Sequence, residues 1–166
     1  MVSPSPKWIL LGLALLGSTL LLVCGATLQA GGKKSVKSDA EVKVSATAGK
    51  AGADGKQPVT ITLAVNKGWH IYANPVGEET LAPVQTVVTV AGKEKPQDVK
   101  IEYPAGKVKE DKDLKITYKI YEDKVDIKAH VHRAKGDTGP LEVSVKLQTC
   151  SDKSCLLPAT VKVPVK

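Results

Sequence analysis

The stretch LKITYKIYEDKVDIKAHV, residues 114–131, decides the fold. Apolar and polar side chains alternate on both sides of Glu122 and Asp123, and successive side chains of an extended chain point to opposite faces. Val125, Ile127, Ala129 and Val131 therefore share one face of a half-buried strand. An amphipathic helix would instead repeat its apolar positions every ~3.6 residues. The same alternation recurs outward in both directions: Val42, Val44 and Ala46, then VTITLAV at 59–65, TVVTV at 86–90, VKIEY at 99–103, LEVSVKLQ at 141–148 and TVKVPV at 160–165. GKAGADGKQP, NKG, NPVGEE, AGKEKPQD and AKGDTGP separate these runs and are built from turn-forming residues. The expectation is an all-β body of roughly eight or nine short strands folded as an immunoglobulin-like two-sheet sandwich. With two Trp, four Tyr and no Phe, its core must be filled by Val, Ile and Leu, with Leu141, Val143, Val145 and Leu147 forming a second inward face.

The amino terminus is of another kind. Trp8 to Val23 carries no charge, follows Lys7 and gives way to small residues and then lysines, the layout of a secretory signal. The run is shorter than the roughly 20 residues of a spanning helix, which favours removal over a permanent anchor. Residues 1–30 are thus expected to be a signal peptide, 31–39 a Gly/Lys/Ser-rich flexible tether and 40–166 the folded domain. Cleavage after Ala30 discards Cys24; the rival reading makes Cys24 the lipid-modified first residue of a lipoprotein. Either way the body is expected to be exported, to the periplasm or another extracytoplasmic space.

The chain of 166 residues carries 24 Lys+Arg against 17 Asp+Glu, for a formal charge of +7. The basic residues are lysines except Arg133, and they alternate with acids along the chain. With no basic cluster and almost no Arg for bidentate phosphate contacts, nucleic-acid binding is a poor fit. There is no G-x-S-x-G and no phosphate-cradling Gly loop before a helix, so hydrolytic and phosphoryl-transfer chemistry have no motif to rest on.

Three cysteines cannot all pair within one chain. If Cys24 belongs to the export segment, Cys150 and Cys155 remain, flanking the polar turn SDKS. Alternation carried forward from Leu141 places Cys150 on the outward face with Lys146 and Gln148. Cysteines flanking such a turn can approach to the ~4.4–6.8 Å Cα separation of a disulfide. A loop this short adds only about 2 kcal/mol of stabilisation, so stability alone is a weak reason for the bond. Lys153 favours a thiolate in this turn and Asp152 opposes it. An inert hairpin staple and a redox pair both remain open on spacing.

Three blocks in order resemble the amino-terminal domain of the periplasmic thiol:disulfide interchange protein DsbD: GWHIYANP at 68–75, YPAG at 103–106 followed by IYEDKVDI at 120–127, and LQTCSDKSCLLP at 147–158. The resemblance implies an immunoglobulin-like sandwich that passes reducing equivalents between protein partners without a cofactor. It implies Cys150 and Cys155 as the interconverting pair, with Cys155 forming the intermolecular mixed disulfide and Cys150 resolving it. It implies His70 and Tyr72 as flanking residues, and a shielding cap loop in KVKEDKDLKITY, which contains Asp111, Asp113 and Leu114 but lacks the family's aromatic cap residue, so that either Leu114 is a smaller lid or the shielding is weaker. The implied partners are a thioredoxin-like or membrane electron donor and periplasmic thiol-disulfide acceptors. This sequence shows no C-x-x-C and no second membrane segment, so its electrons are expected to come from another polypeptide.

Two other functions compete. One is a non-redox immunoglobulin-like envelope binding module with a structural disulfide. The other is a metal binder using His130 and His132, two residues apart on one strand face and so roughly 6.5–7 Å apart along it.

Overall fold

The computed structural model describes residues 35–166. The signal segment, Cys24 and the first part of the tether lie outside those residues. Eleven strands follow one another: β1 (Val42–Ala48), β2 (Lys56–Val65), β3 (His70–Tyr72), β4 (Val87–Gly92), β5 (Asp98–Glu102), β6 (Lys107–Asp111), β7 (Ile116–Tyr121), β8 (Lys124–His132), β9 (Leu141–Leu147), β10 (Thr149–Cys150) and β11 (Ala159–Pro164). Two short 3₁₀ turns, Ser38–Ala40 and Glu79–Val84, are the helical elements among the described residues, and no helix there is long and apolar enough to cross a membrane.

The expected sandwich is present, and its second layer is divided. One layer is the antiparallel sheet β1-β2-β8-β5; the other consists of β11-β9-β4 and β10-β3-β7-β6. The division falls where β9 ends at Leu147: Gln148 steps out of the ladder, and Thr149 resumes pairing with Ile71 of β3 rather than with β11. The alternating runs turn their apolar faces to the core as expected, fully buried in the central strands and only partly buried at Val125 and along the edge strands β5 and β11. Ile127, Ala129 and Val131 of β8 are 0% exposed, opposite Leu141, Val143, Val145 and Leu147 of β9, all at 4% or less. Ile127 pairs in register with Ile61 of β2, near the middle of this sheet. Burial of such a side chain contributes roughly 1.5–3 kcal/mol by removing its apolar surface from water.

A second, smaller cluster lies apart from this main core and consists of Tyr72, Val76, Tyr118, Ile120 and Cys150. Alternation along β3 explains the split: Ile71 and Ala73 face the main core, while His70 and Tyr72 face away from it. The YPAG block positions the neighbouring segment. Tyr103 accepts a hydrogen bond from the Val88 amide at 2.9 Å, and the Tyr121 hydroxyl donates to the Pro104 carbonyl at 2.9 Å. At Gly106 a Cβ would stand 2.6 Å from the Ala73 Cβ, so a side chain there would push β3 away.

Two expectations are corrected here. Residues 36–39 are not tether: Lys37 bridges Leu157, and Ser38 is fully buried with its hydroxyl 2.7 Å from the Leu157 carbonyl. Ser38 also holds the other arm of the cysteine turn, accepting from the Thr149 amide at 2.9 Å. The first half of the expected cap loop is strand β6, an edge strand whose polar sequence hides its character. It pairs only with β7 and leaves Val108 69% exposed, so no apolar alternation is required of it.

Candidate functional site

Cys150 and Cys155 form a disulfide with their Cα atoms 4.0 Å apart, a little closer than the usual range. The turn between them is closed by the Ser151 amide donating to the Ser154 carbonyl at 2.8 Å. The Ser151 hydroxyl oxygen in turn accepts from the Lys153 and Ser154 amides. The two cysteines differ in exposure. Cys155 is exposed, whereas Cys150 is 2% exposed. The outward placement expected for Cys150 is therefore corrected. Its side chain does lie opposite that of Thr149, but Tyr72 and Tyr118 cover that face.

Tyr72 lies against both sulfurs, its hydroxyl 3.5 Å from Sγ of Cys150 and 4.0 Å from Sγ of Cys155. Disulfide sulfurs carry no proton, so the tyrosine is the donor. Burial, with Tyr118 adding to it, pushes the Tyr72 hydroxyl above its ordinary range and keeps it protonated. Its ring packs at 5.8 Å from Tyr118 and edge-on at 6.1 Å from His70. His70, 5% exposed, pairs in register with Cys150.

An open cleft of about 330 Å³ gathers His70, Tyr72, Lys109, Asp111, Asp152 and both cysteines. Of the three cap residues, Asp111 lines it, while Leu114 is 68% exposed and neither Leu114 nor Asp113 reaches it. Asp111 also ties the turn after β6, accepting from the Asp113 and Leu114 amides at 3.0 and 2.9 Å. Sequence reasoning missed Lys109 and Tyr118. Lys109 donates to Asp152 at 2.8 Å and faces Tyr118 across the β6–β7 ladder. Counting back by two from Asp111 would have found it, had KVKED been read as a strand.

Burial displaces His70 below the ordinary histidine value of about 6.5, with Lys109 adding to the displacement and Asp152 and Glu122 opposing it. The unfolded chain therefore takes up this proton first. The resulting stability is complete above about pH 6.5 and is lost as pH falls through the folded value. Urea denaturation at steps from about pH 7 to 5 is expected to show this decline, and His70→Gln should flatten it. An unchanged slope in that variant would exclude His70 as its source.

The proposed metal pair stands elsewhere, on the outward face of β8. His130 Nε2 is 3.3 Å from Glu102 Oε2. Among the described residues no group of three or more His, Cys, Asp or Glu is arranged to hold a metal ion.

Residues 36–166 match the family described as "Thiol:disulfide interchange protein DsbD, N-terminal". Among solved structures, the N-terminal periplasmic domain of ScsB from Proteus mirabilis superposes with a TM-score of 0.55 at 20% identity, over 74% of this chain and 46% of that one. This chain thus spans about half of the ScsB domain. The reduced DsbD N-terminal domain of Neisseria meningitidis gives a TM-score of 0.48 at 15% identity, over 77% of this chain and 86% of that one. The complex of the DsbD and PilB N-terminal domains from the same organism gives 0.42 at 15% identity, over 72% and 80%. No curated protein sequence matches.

Proposed function

This chain belongs to the family of DsbD amino-terminal domains, and from that premise we propose that it is a periplasmic carrier of reducing equivalents working through Cys150 and Cys155. The observation that carries the proposal is the unequal exposure of the two cysteines beside a hydroxyl donor. A disulfide is opened by in-line attack on one sulfur, and only an accessible sulfur can be attacked by another protein.

In the reductive step a thiolate of a thioredoxin-like donor attacks Sγ of Cys155. The Cys150–Cys155 bond breaks, and its electron pair passes to Sγ of Cys150. A buried thiolate is costly without a donor, and the Tyr72 hydroxyl is in place to supply one. The donor's second thiol, deprotonated, then attacks its own sulfur in the mixed disulfide and releases Cys155 as a thiolate. The donor ends oxidised and this chain holds two more electrons and the protons its thiols take up. Transfer onward reverses the roles, with Cys155 attacking an acceptor disulfide and Cys150 resolving the conjugate. In this scheme the donor and the acceptor each supply the cysteines that exchange with Cys155. The signal segment delivers the chain to the periplasm, free or lipid-anchored through Cys24.

Incubating the oxidised protein with an excess of a reduced thioredoxin-like protein and alkylating the free thiols tests the proposal. Both cysteines are expected to become labelled. A pair that stays oxidised under those conditions would leave the disulfide as a staple, and the envelope binding module would replace the carrier.

A further inference from the structure

Lys109 approaches the redox turn from a strand that the exchange scheme does not use. It stands on the edge strand β6, and its ammonium lies 2.8 Å from Oδ1 of Asp152, 43 residues away in the chain. Asp152 sits between the two cysteines in the chain, and both charged residues line the same cleft as the cysteines. The two are not equally solvated: the Lys109 side chain is 31% exposed and that of Asp152 87%. The less screened charge is the positive one, placed opposite Tyr118 by the β6–β7 register.

We propose that Lys109 and Asp152 form a charge pair that sets the acidity of the redox cysteines, Lys109 favouring the thiolate released from the disulfide and Asp152 opposing it. The proposal rests on the exchange reading above and deepens it. The positive field already acts on the neighbours of the sulfurs, since Lys109 favours the uncharged form of His70 and the ionised form of Tyr72. Other titratable groups stand around the same cleft and turn. From β3 come His70 and Tyr72, which are neutral at pH 7, and from β7 comes Tyr118. The β6 strand and its turn add Glu110, Asp111 and Lys112 beside Lys109, and the redox turn adds Lys153 beside Asp152. Of these, Lys109 and Asp152 are joined directly, so each screens the other in the oxidised protein.

The step concerned is the first one of reduction. A dithiol reductant attacks Cys155, the disulfide bond breaks, and the electron pair arrives on Cys150 while the proton stays in solvent. A nearby positive charge lowers the free energy of that product and of the reduced form at neutral pH. Partly screened charges that share a cleft with an ionising group change its equilibrium by about three- to tenfold.

The test compares Lys109→Met, Asp152→Asn and Lys109→Arg. Reduced protein is titrated by the ultraviolet absorbance of its thiolates, and oxidised protein is timed in its reduction by dithiothreitol at neutral pH. The first two variants break the same ion pair, so a role limited to strapping the turn shifts both in one direction. The charge assignment requires opposite directions. Lys109→Met should lower the thiolate fraction of the cysteine pair about three- to tenfold, Asp152→Asn should raise it by a similar factor, and Lys109→Arg should resemble the parent. In about 1 M salt, where the screening length falls to roughly 3 Å, both differences should shrink. Shifts in the same direction, or none beyond about 1.5-fold, would overturn the proposal while leaving exchange intact. A parent protein that dithiothreitol reduces but thioredoxin-like thiols do not would instead overturn the exchange reading.

Discussion

Cys155→Ser is expected to end the formation of mixed disulfides with a partner, whereas Cys150→Ser is expected to accumulate them. The two sulfurs of one bond are chemically identical, so the difference must come from their surroundings. Cys155 is exposed and open to in-line attack; Cys150 is 2% exposed, beneath the rings of Tyr72 and Tyr118. In Cys150→Ser the remaining thiol can still attack or be attacked, but no neighbouring thiol resolves the conjugate. Resolution within one molecule has a large effective concentration, so its loss should slow turnover by more than about a hundredfold. Cys155→Ser leaves a single thiol buried where a partner sulfur cannot reach it. Non-reducing gels and intact mass after mixing with a thioredoxin-like protein that lacks its resolving cysteine would read both outcomes. Equal conjugate yields from the two variants would show that burial of Cys150 does not direct the reaction. Neither variant should unfold, because the closed loop is short and the bond contributes only about 2 kcal/mol.

The fold and the site were legible to different extents, for different physical reasons. Alternation reports burial on one side of one strand, so β8 and β9, whose inner faces meet the main core directly, were readable from VDIKAHV and LEVSVKL. The edge strand β6 has little to bury and therefore carries no such pattern. At the redox turn the parity rule was locally correct and globally insufficient. It placed Cys150 opposite Thr149, as found, but what covers that face comes from β3 and β7, some 30 to 80 residues earlier in the chain. Tyr72 was reachable only through the resemblance of GWHIY to a known family. The resemblance offers Leu114 as a smaller lid, yet the turn that Asp111 ties leaves it in solvent. The pairing of Lys109 with Asp152 spans 43 residues, and no local pattern reports an ion pair formed across two elements.

Ile127→Ala is expected to produce the largest loss of stability, and to do so without changing the chemistry of the folded molecule. Ile127 is 0% exposed on a strand flanked on both sides, and the removed methyl and methylene groups leave a cavity that the paired strands cannot close. Such truncations cost about 2–5 kcal/mol, a large part of the roughly 5–15 kcal/mol that holds a domain of this kind together. Val108→Ala, at 69% exposure on edge strand β6, removes similar apolar atoms and should change stability by no more than about 0.5 kcal/mol. Urea denaturation of the oxidised proteins gives both values, and a loss below about 1 kcal/mol for Ile127→Ala would contradict the packing of the main core. The redox turn rests on the other cluster, with Cys150 packed among Tyr72, Tyr118 and Ile120, and is tied at its base by Ser38. Exchange rates measured well below the denaturation midpoint should therefore match the parent in Ile127→Ala. If they fall together with stability, the two clusters act as one cooperative unit, and the geometry around Cys150 depends on the whole sandwich rather than on β3, β7 and the turn that carry it.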